Sequence, residues 1–290
     1  MPFRLRPLAT AAVLLAATLT ACTGGADTSP TEESPASGAA VSHIHGLGID
    51  PADGRLYVAT HEGVIAVAKD GSFKRVSDTA DYMGFTVAGP KNFLGSGHPA
   101  PGTDAPSNRG LIESTDAGKT WKTRSLEGKA DFHALEYAHD TIYGYDSTSG
   151  MLRVSKDGKK WDDRAKLAAL DIAVSPKDPD LLLATTQDGI ARSTDGGETF
   201  GDSAEPVLAF LSWAEPEALY GINPAGALNR STDGGATWKK AGTVPGGRPQ
   251  ALTAVDADRV LAATQDGVYE TRNGGKTFTK RLQVTPAAGH

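Results

Sequence analysis

The chain carries seven histidines, and His43, His45, His61, His98 and His133 all fall in its first half. Neutral imidazole is a nitrogen ligand that zinc, copper, iron and nickel sites share. His43 and His45 are two residues apart, so on an extended strand both rings point to one side. Met83 lies among them in sequence. A thioether would tilt a site toward Cu(I), whereas three imidazoles with an open position suit zinc or Cu(II). Glu62, Asp81 and Asp131 offer further ligands, or acceptors that orient a ring nitrogen from behind. One tetrahedral ion cannot take all five rings and the thioether. His45, His98 and His133 are the favoured ligands, with His61 next. Copper or zinc is the cofactor such a set would hold. Nothing in the set marks a catalytic residue.

Side chains this far apart in sequence can meet only on a repeating scaffold, and from residue 43 the chain repeats itself. The clearest copies are Ser114-Thr-Asp116-Ala-Gly118-Lys-Thr120-Trp121, Ser193-Thr-Asp195-Gly-Gly197-Glu-Thr199-Phe200 and Ser231-Thr-Asp233-Gly-Gly235-Ala-Thr237-Trp238. Thr271-Arg-Asn273-Gly-Gly275-Lys-Thr277-Phe278 is a softened copy, Ser155-Lys-Asp157-Gly158 a shortened one, and Lys69-Asp70-Gly71-Ser72-Phe73 a remnant. An apolar strand signal such as Leu56-Tyr-Val-Ala-Thr60 or Val260-Leu-Ala-Ala-Thr264 precedes each copy. Another, such as Leu47-Gly-Ile49, lies earlier still, with turn residues between. Four short strands in about forty residues describe a propeller blade. Six such units fit residues 43–290, so the expected fold is an all-β, six-bladed β-propeller.

In a four-stranded meander the 1–2 and 3–4 turns share one face. The 2–3 loops and the starts of the first strands share the other. Counting from the apolar starts of the second strands places His61 and His98 in one structural slot of blades 1 and 2. Aligning the first strands at a small-then-apolar step matches His45-Gly46-Leu47, Met83-Gly84-Phe85, His133-Ala134-Leu135 and Gln250-Ala251-Leu252. His43, His45, His61, His98, His133 and Met83 therefore map to one face, and only His139 and His290 fall elsewhere. The longest insertion, His98 to Arg109, lies there too, and a long loop on a regular scaffold is usually functional or disordered. Repeat duplication could by itself put two histidines in equivalent slots. His43 and His45 also share parity with Leu47 and Ile49, which leaves packing between blades as the alternative.

The repeated Ser-x-Asp-x-Gly-x-Thr-Trp segment resembles the Asp-box, or BNR repeat, of the sialidase-like propellers. In that reading Asp116, Asp157, Asp195, Asp233 and Asn273 are structural. They hold the turn between the third and fourth strands while the glycine takes positive φ. The resemblance implies an active face opposite these turns, and an exo-sialidase or other glycosyl hydrolase. Sialidases of this fold hold the substrate carboxylate with three arginines and use a Tyr–Glu pair with an Asp. Here that face offers only Arg109 and Arg248 in loops, and His43-Ile-His-Gly opens the first blade. Glu62, Asp81 and Asp131 could supply the two carboxylates of a general glycosidase, or be solvated acids. Three functions therefore stand side by side: a metal or ligand site on the histidine face, a glycoside hydrolase, and a non-catalytic binding platform.

The first forty residues read as address and tether. Arg4 and Arg6 precede a short apolar run, and Leu19-Thr20-Ala21-Cys22 resembles a bacterial lipobox. The resemblance implies a signal peptide over residues 1–21, lipid on Cys22, and an extracytoplasmic protein anchored to the cell membrane. Residues 22–42 are rich in Gly, Ser, Thr and Pro, a flexible tether. Cys22 is the only cysteine, which excludes an internal disulfide framework. A formal charge of −6 without any basic block argues against nucleic acid as a partner. The expected partners are the membrane and a small ligand, metal or glycan, with the chain a monomer.

Overall fold

The computed structural model describes residues 41–284, all strand, turn or loop. The signal-like segment, Cys22, nearly all of the tether and His290 lie outside the described residues. Blade 1 is β1 (Ile44–Ile49), β2 (Leu56–Thr60), β3 (Gly63–Val67) and β4 (Phe73–Arg75). Blade 2 is β5 (Asp81–Gly89), β6 (Asn92–His98), β7 (Leu111–Ser114) and β8 (Lys122–Ser125). Blade 3 is β9 (Phe132–Ala138), β10 (Thr141–Asp146), β11 (Met151–Ser155) and β12 (Asp162–Lys166). Blade 4 holds β13 (Asp171–Val174), β14 (Leu182–Thr186) and β15 (Gly189–Ser193). Blade 5 is β16 (Phe210–Trp213), β17 (Leu219–Ile222), β18 (Ala227–Ser231) and β19 (Lys239–Thr243). Blade 6 is β20 (Pro249–Ala254), β21 (Arg259–Thr264), β22 (Gly267–Arg272) and β23 (Thr279–Gln283).

Each sheet is an antiparallel meander of consecutive strands, and the six together make the expected six-bladed propeller. Blade 4 departs from the pattern. In place of a fourth strand, Ala204 makes a single bridge to Ile190. The segment Gly201-Asp-Ser-Ala-Glu-Pro206 lacks the β-branched and aromatic residues that hold an outer strand.

The core is divided among the gaps between blades. In β2, Leu56 and Val58 pack with Leu261 and Val268 of blade 6, while Tyr57 and Ala59 pack with Tyr82 and Phe93 of blade 2. Alternation on a strand buried on both faces thus serves two neighbours at once. Four further gaps close the same way, and the gap between blades 6 and 1 is one of the six. No strand from one end of the described chain completes the sheet of the other. The ring is closed by this apolar seam, by Ile44 N–H donating to Gln250 Oε1 at 3.1 Å and by Thr253 Oγ1 donating to the Leu47 carbonyl at 2.8 Å.

The repeated turns sit between third and fourth strands. In one, Gly197 N–H donates to Ser193 Oγ at 2.9 Å, Ser193 Oγ donates to Asp195 Oδ1 at 2.7 Å, and Thr199 N–H donates to the same oxygen at 3.0 Å. Gly197 has φ +86°, and a Cβ there would lie 2.4 Å from Leu152 Cδ2 of the preceding blade. The Thr199 hydrogen bonds and the Ser193 hydroxyl hold the Asp195 carboxyl down at about 2. Asp116 and Asp233 repeat the geometry, and Asn273 uses its amide oxygen to accept from Thr277 N–H at 2.9 Å. Asp157 accepts from Lys160 N–H at 2.8 Å.

Candidate functional site

The first strands are the inner strands, and they surround an axial cavity of about 630 Å³. It extends from His45 and His133 at the end carrying the 2–3 loops to His139 and Pro176 at the end carrying the repeated turns. Four first strands begin with a register shift against their second strands. The extra residues are His45, Met83, His133 and Gln250. A bulge leaves one residue outside the ladder and re-aims its side chain. The residue after it must be small. A Cβ on Gly46 would lie 2.8 Å from Phe85 Cβ, and one on Gly84 would lie 2.3 Å from the Phe132 carbonyl oxygen. The next blade's first strand presses against this position, which explains the small-then-apolar step.

At the mouth the candidate ligands gather in two groups. In the first, His61 Nδ1 lies 2.9 Å from Asp81 Oδ2 and 3.3 Å from His45 Nε2, and His45 Nε2 lies 3.7 Å from Asp81 Oδ1. Three donors from two blades therefore surround one point. In the second, Asp131 Oδ2 lies 2.8 Å from His133 Nε2 and 3.7 Å from His98 Nε2. Asp81 and His98 are direct partners across β5 and β6. His43 stands beside the first group, its ring centre 4.7 Å from that of His45. Gln250 donates its amide to His43 Nδ1 at 3.1 Å. Met83 is half-buried on its bulge, between His45 and His133 in blade order. Glu62 is exposed and accepts from Ser42 Oγ at 3.4 Å, outside both groups.

Burial, then the neighbouring rings of His61 and His43, push the His45 imidazole down to about 3, so it is neutral at neutral pH. The hydrogen bond to Asp81 raises His61. Burial lowers His43, and His61 adds to the effect. For Asp81, burial works upward, but the hydrogen bond and charge of His61 outweigh it and the carboxyl is lowered. Asp131 is lowered against its burial in the same way, by His133. Each carboxylate keeps one buried oxygen, Oδ1, without a hydrogen-bond partner in the protein.

The ligand set favoured from the sequence, His45, His98 and His133, is divided between the two groups: His45 stands with His61 and Asp81, and His98 and His133 stand with Asp131. The sequence reading also passed over two channel acids. Glu136 and Asp171 line the cavity. Burial, then the charge of Asp171, pushes Glu136 up to about 8; burial pushes Asp171 up to about 7 against the amides of Leu211 and Ile172 that it accepts. Neither belongs to a motif. Arg109 lies over the Tyr82 ring at 5.0 Å and 3.7 Å from Asp78, its buried Nη1 without a hydrogen-bond partner, and among the described residues no arginine lines the cavity.

No protein-family model matches this chain, and no curated protein sequence does. Solved structures resemble it in fold. A GH74 xyloglucanase from Xanthomonas campestris is 17% identical with a TM-score of 0.55, over 83% of this chain and 38% of the enzyme. The chain thus spans little more than a third of that enzyme's length. A virginiamycin B lyase from Staphylococcus aureus is 14% identical with a TM-score of 0.55, over 86% of each chain. A chain of a nidogen/laminin complex is 13% identical with a TM-score of 0.62, over 79% of this chain and 93% of the other. At these identities the likeness is one of fold.

Proposed function

We propose that this protein is a metal-binding propeller whose mouth holds a zinc or copper(II) ion on His45 Nε2, His61 Nδ1 and Asp81. One observation carries the reading: three ligand atoms, one from each of His45, His61 and Asp81, lie within 4.8 Å of one another. A cation among them would meet two imidazole nitrogens and a carboxylate oxygen. Bonds of about 2.0 Å in a tetrahedron give ligand separations of about 3.3 Å, and the His45–His61 spacing is 3.3 Å. Two nitrogens and one oxygen leave a fourth position open to water, substrate or His43, the donor set of a zinc or Cu(II) site. Met83 would favour Cu(I) if its sulfur turned toward the ion.

Titrating metal-free protein with zinc and with copper(II) tests this. Wild type binds at least one of them, and the His45→Ala, His61→Ala double variant takes up one ion fewer per chain. Equal uptake by the two proteins would show the cluster to be structural.

The fold likeness to a GH74 enzyme favours glycoside hydrolysis as the second reading. A glycosidase needs one protonated carboxyl. Asp81 and Asp131 are both held below the usual carboxylate range by imidazole partners, which suits ligands better than proton donors; the raised carboxyls of the cavity are Glu136 and Asp171, at about 8 and about 7. That none of the described arginines lines the cavity weighs against sialidase chemistry in particular. A lipobox-like Leu19-Thr-Ala-Cys22, with residues 1–21 as signal peptide, supports placing the propeller outside the cytoplasm on a lipidated Cys22.

A further inference from the structure

The surroundings of Asp81 recur one blade further round the ring, at Asp131. Each aspartate stands two positions before a bulged residue, Met83 or His133. Each meets an imidazole at the 2–3 corner of the blade before it: His61 at 2.9 Å for Asp81, His98 at 3.7 Å for Asp131. Each also meets an imidazole from a bulge, His45 at 3.7 Å and His133 at 2.8 Å. The Asp131 side chain is only 7% exposed, and its Oδ1 has no hydrogen-bond partner. Such an oxygen is costly to leave bare.

The long loop supplies a second observation. His98 Nδ1 lies 2.9 Å from the Ser107 carbonyl, which only an N–H can satisfy. With that proton on Nδ1, Nε2 is the ring atom left to meet a ligand, and it lies 3.7 Å from Asp131 Oδ2. A ring nitrogen held by a carbonyl from behind is how ligating imidazoles are oriented. The insertion from His98 to Arg109 thus sets the tautomer of one ligand.

We infer that Asp131, His98 and His133 form a second cation site beside the first, so that the mouth takes two ions of the zinc or copper(II) class. The inference rests on the metal-binding reading of the first cluster, and the pairing of Asp81 with His98 across β5 and β6 joins the two.

A metal count on the full chain tests the second site. Stripped protein is loaded with zinc, and separately with copper(II). Unbound ions are removed, and the ions per chain are read by emission spectroscopy. Wild type holds two. The His98→Ala, His133→Ala double variant holds one, and so does the His45→Ala, His61→Ala variant. Both pairs stand at the mouth of the ring, and a melting curve checks the fold of each variant. Asp131→Asn, which keeps an oxygen for Ser147, serves as a second probe and also holds one. Wild type with a single ion that survives loss of His98 and His133 would overturn the second site and leave the first standing. Wild type with no ion would overturn both.

Discussion

The hydrogen on His61 Nδ1 is the smallest cation that the first cluster can hold, and metal must compete with protons for that ring. His61 is raised above the ordinary imidazole value, because Asp81 stabilises its charged form. Ion binding therefore displaces a proton from His61 wherever the ring is still charged. Affinity falls as the pH drops, and the fall begins above about 6.5, where a free histidine would start to matter. His45 adds nothing to this loss, since it is neutral down to about 3. Calorimetry in two buffers of different ionisation heat, at pH values around 6.5 and about two units higher, reads the effect. Proton release per ion should be large at the lower pH and fade at the higher. Asp81→Asn should reduce it, since the carboxylate that holds the proton is gone. Binding without proton release at either pH would contradict the assignment of His61. The residue types at this site were legible in the sequence, and their partners were not. His61 meets Asp81 because two blades pack, twenty positions apart in the chain. Glu136 and Asp171 escaped notice because each lies in or against an apolar strand, with no motif around it.

At the scale of elements, the repeated turns were the easiest feature to read, because the side-chain hydrogen bonds of Ser193 and Asp195 that shape one of them span four residues or fewer. Serine or threonine, acid, glycine and threonine at fixed offsets describe a closed local circuit that needs no tertiary information. Ser193 is the buried member of one such circuit. Ser193→Ala leaves the Gly197 N–H unpaired in the interior and should cost about 1–3 kcal/mol, measured by denaturant unfolding, with metal binding unchanged. Loss of metal binding at normal stability would contradict the division between a structural face and a functional one. The outer strand of blade 4 was not legible as missing. The serine, aspartate and glycine of its turn are intact, and only the weak β-forming character of residues 201–206 tells it apart. The small-then-apolar step was legible as an alignment, while its cause was not. The small residue follows a bulge, and a bulge depends on how the next blade presses against the strand.

For the whole molecule, the ring closes on side chains rather than on a shared strand, and the closing seam adjoins the candidate site. Gln250 of blade 6 accepts from Ile44 N–H and donates to His43, so it ties the last blade to the first at the mouth. Only the membership of six units was readable beforehand, since closure depends on which faces meet. The N-terminal forty residues bear on where the protein is anchored. If Cys22 is lipidated, Cys22→Ser should leave the precursor uncleaved or release the protein from the membrane, followed by fractionation and mobility. Unchanged partition and processing would refute the anchor. The central claim is that imidazoles and a carboxylate from two blades hold one ion at the mouth of the ring, and the measurement that tests it most directly is an anomalous difference map from zinc-soaked crystals. The account predicts a peak about 2.0–2.2 Å from His45 Nε2, His61 Nδ1 and an oxygen of Asp81, the ordinary zinc bond lengths. A map with no peak there, or with zinc found only on scattered surface acids, would contradict it.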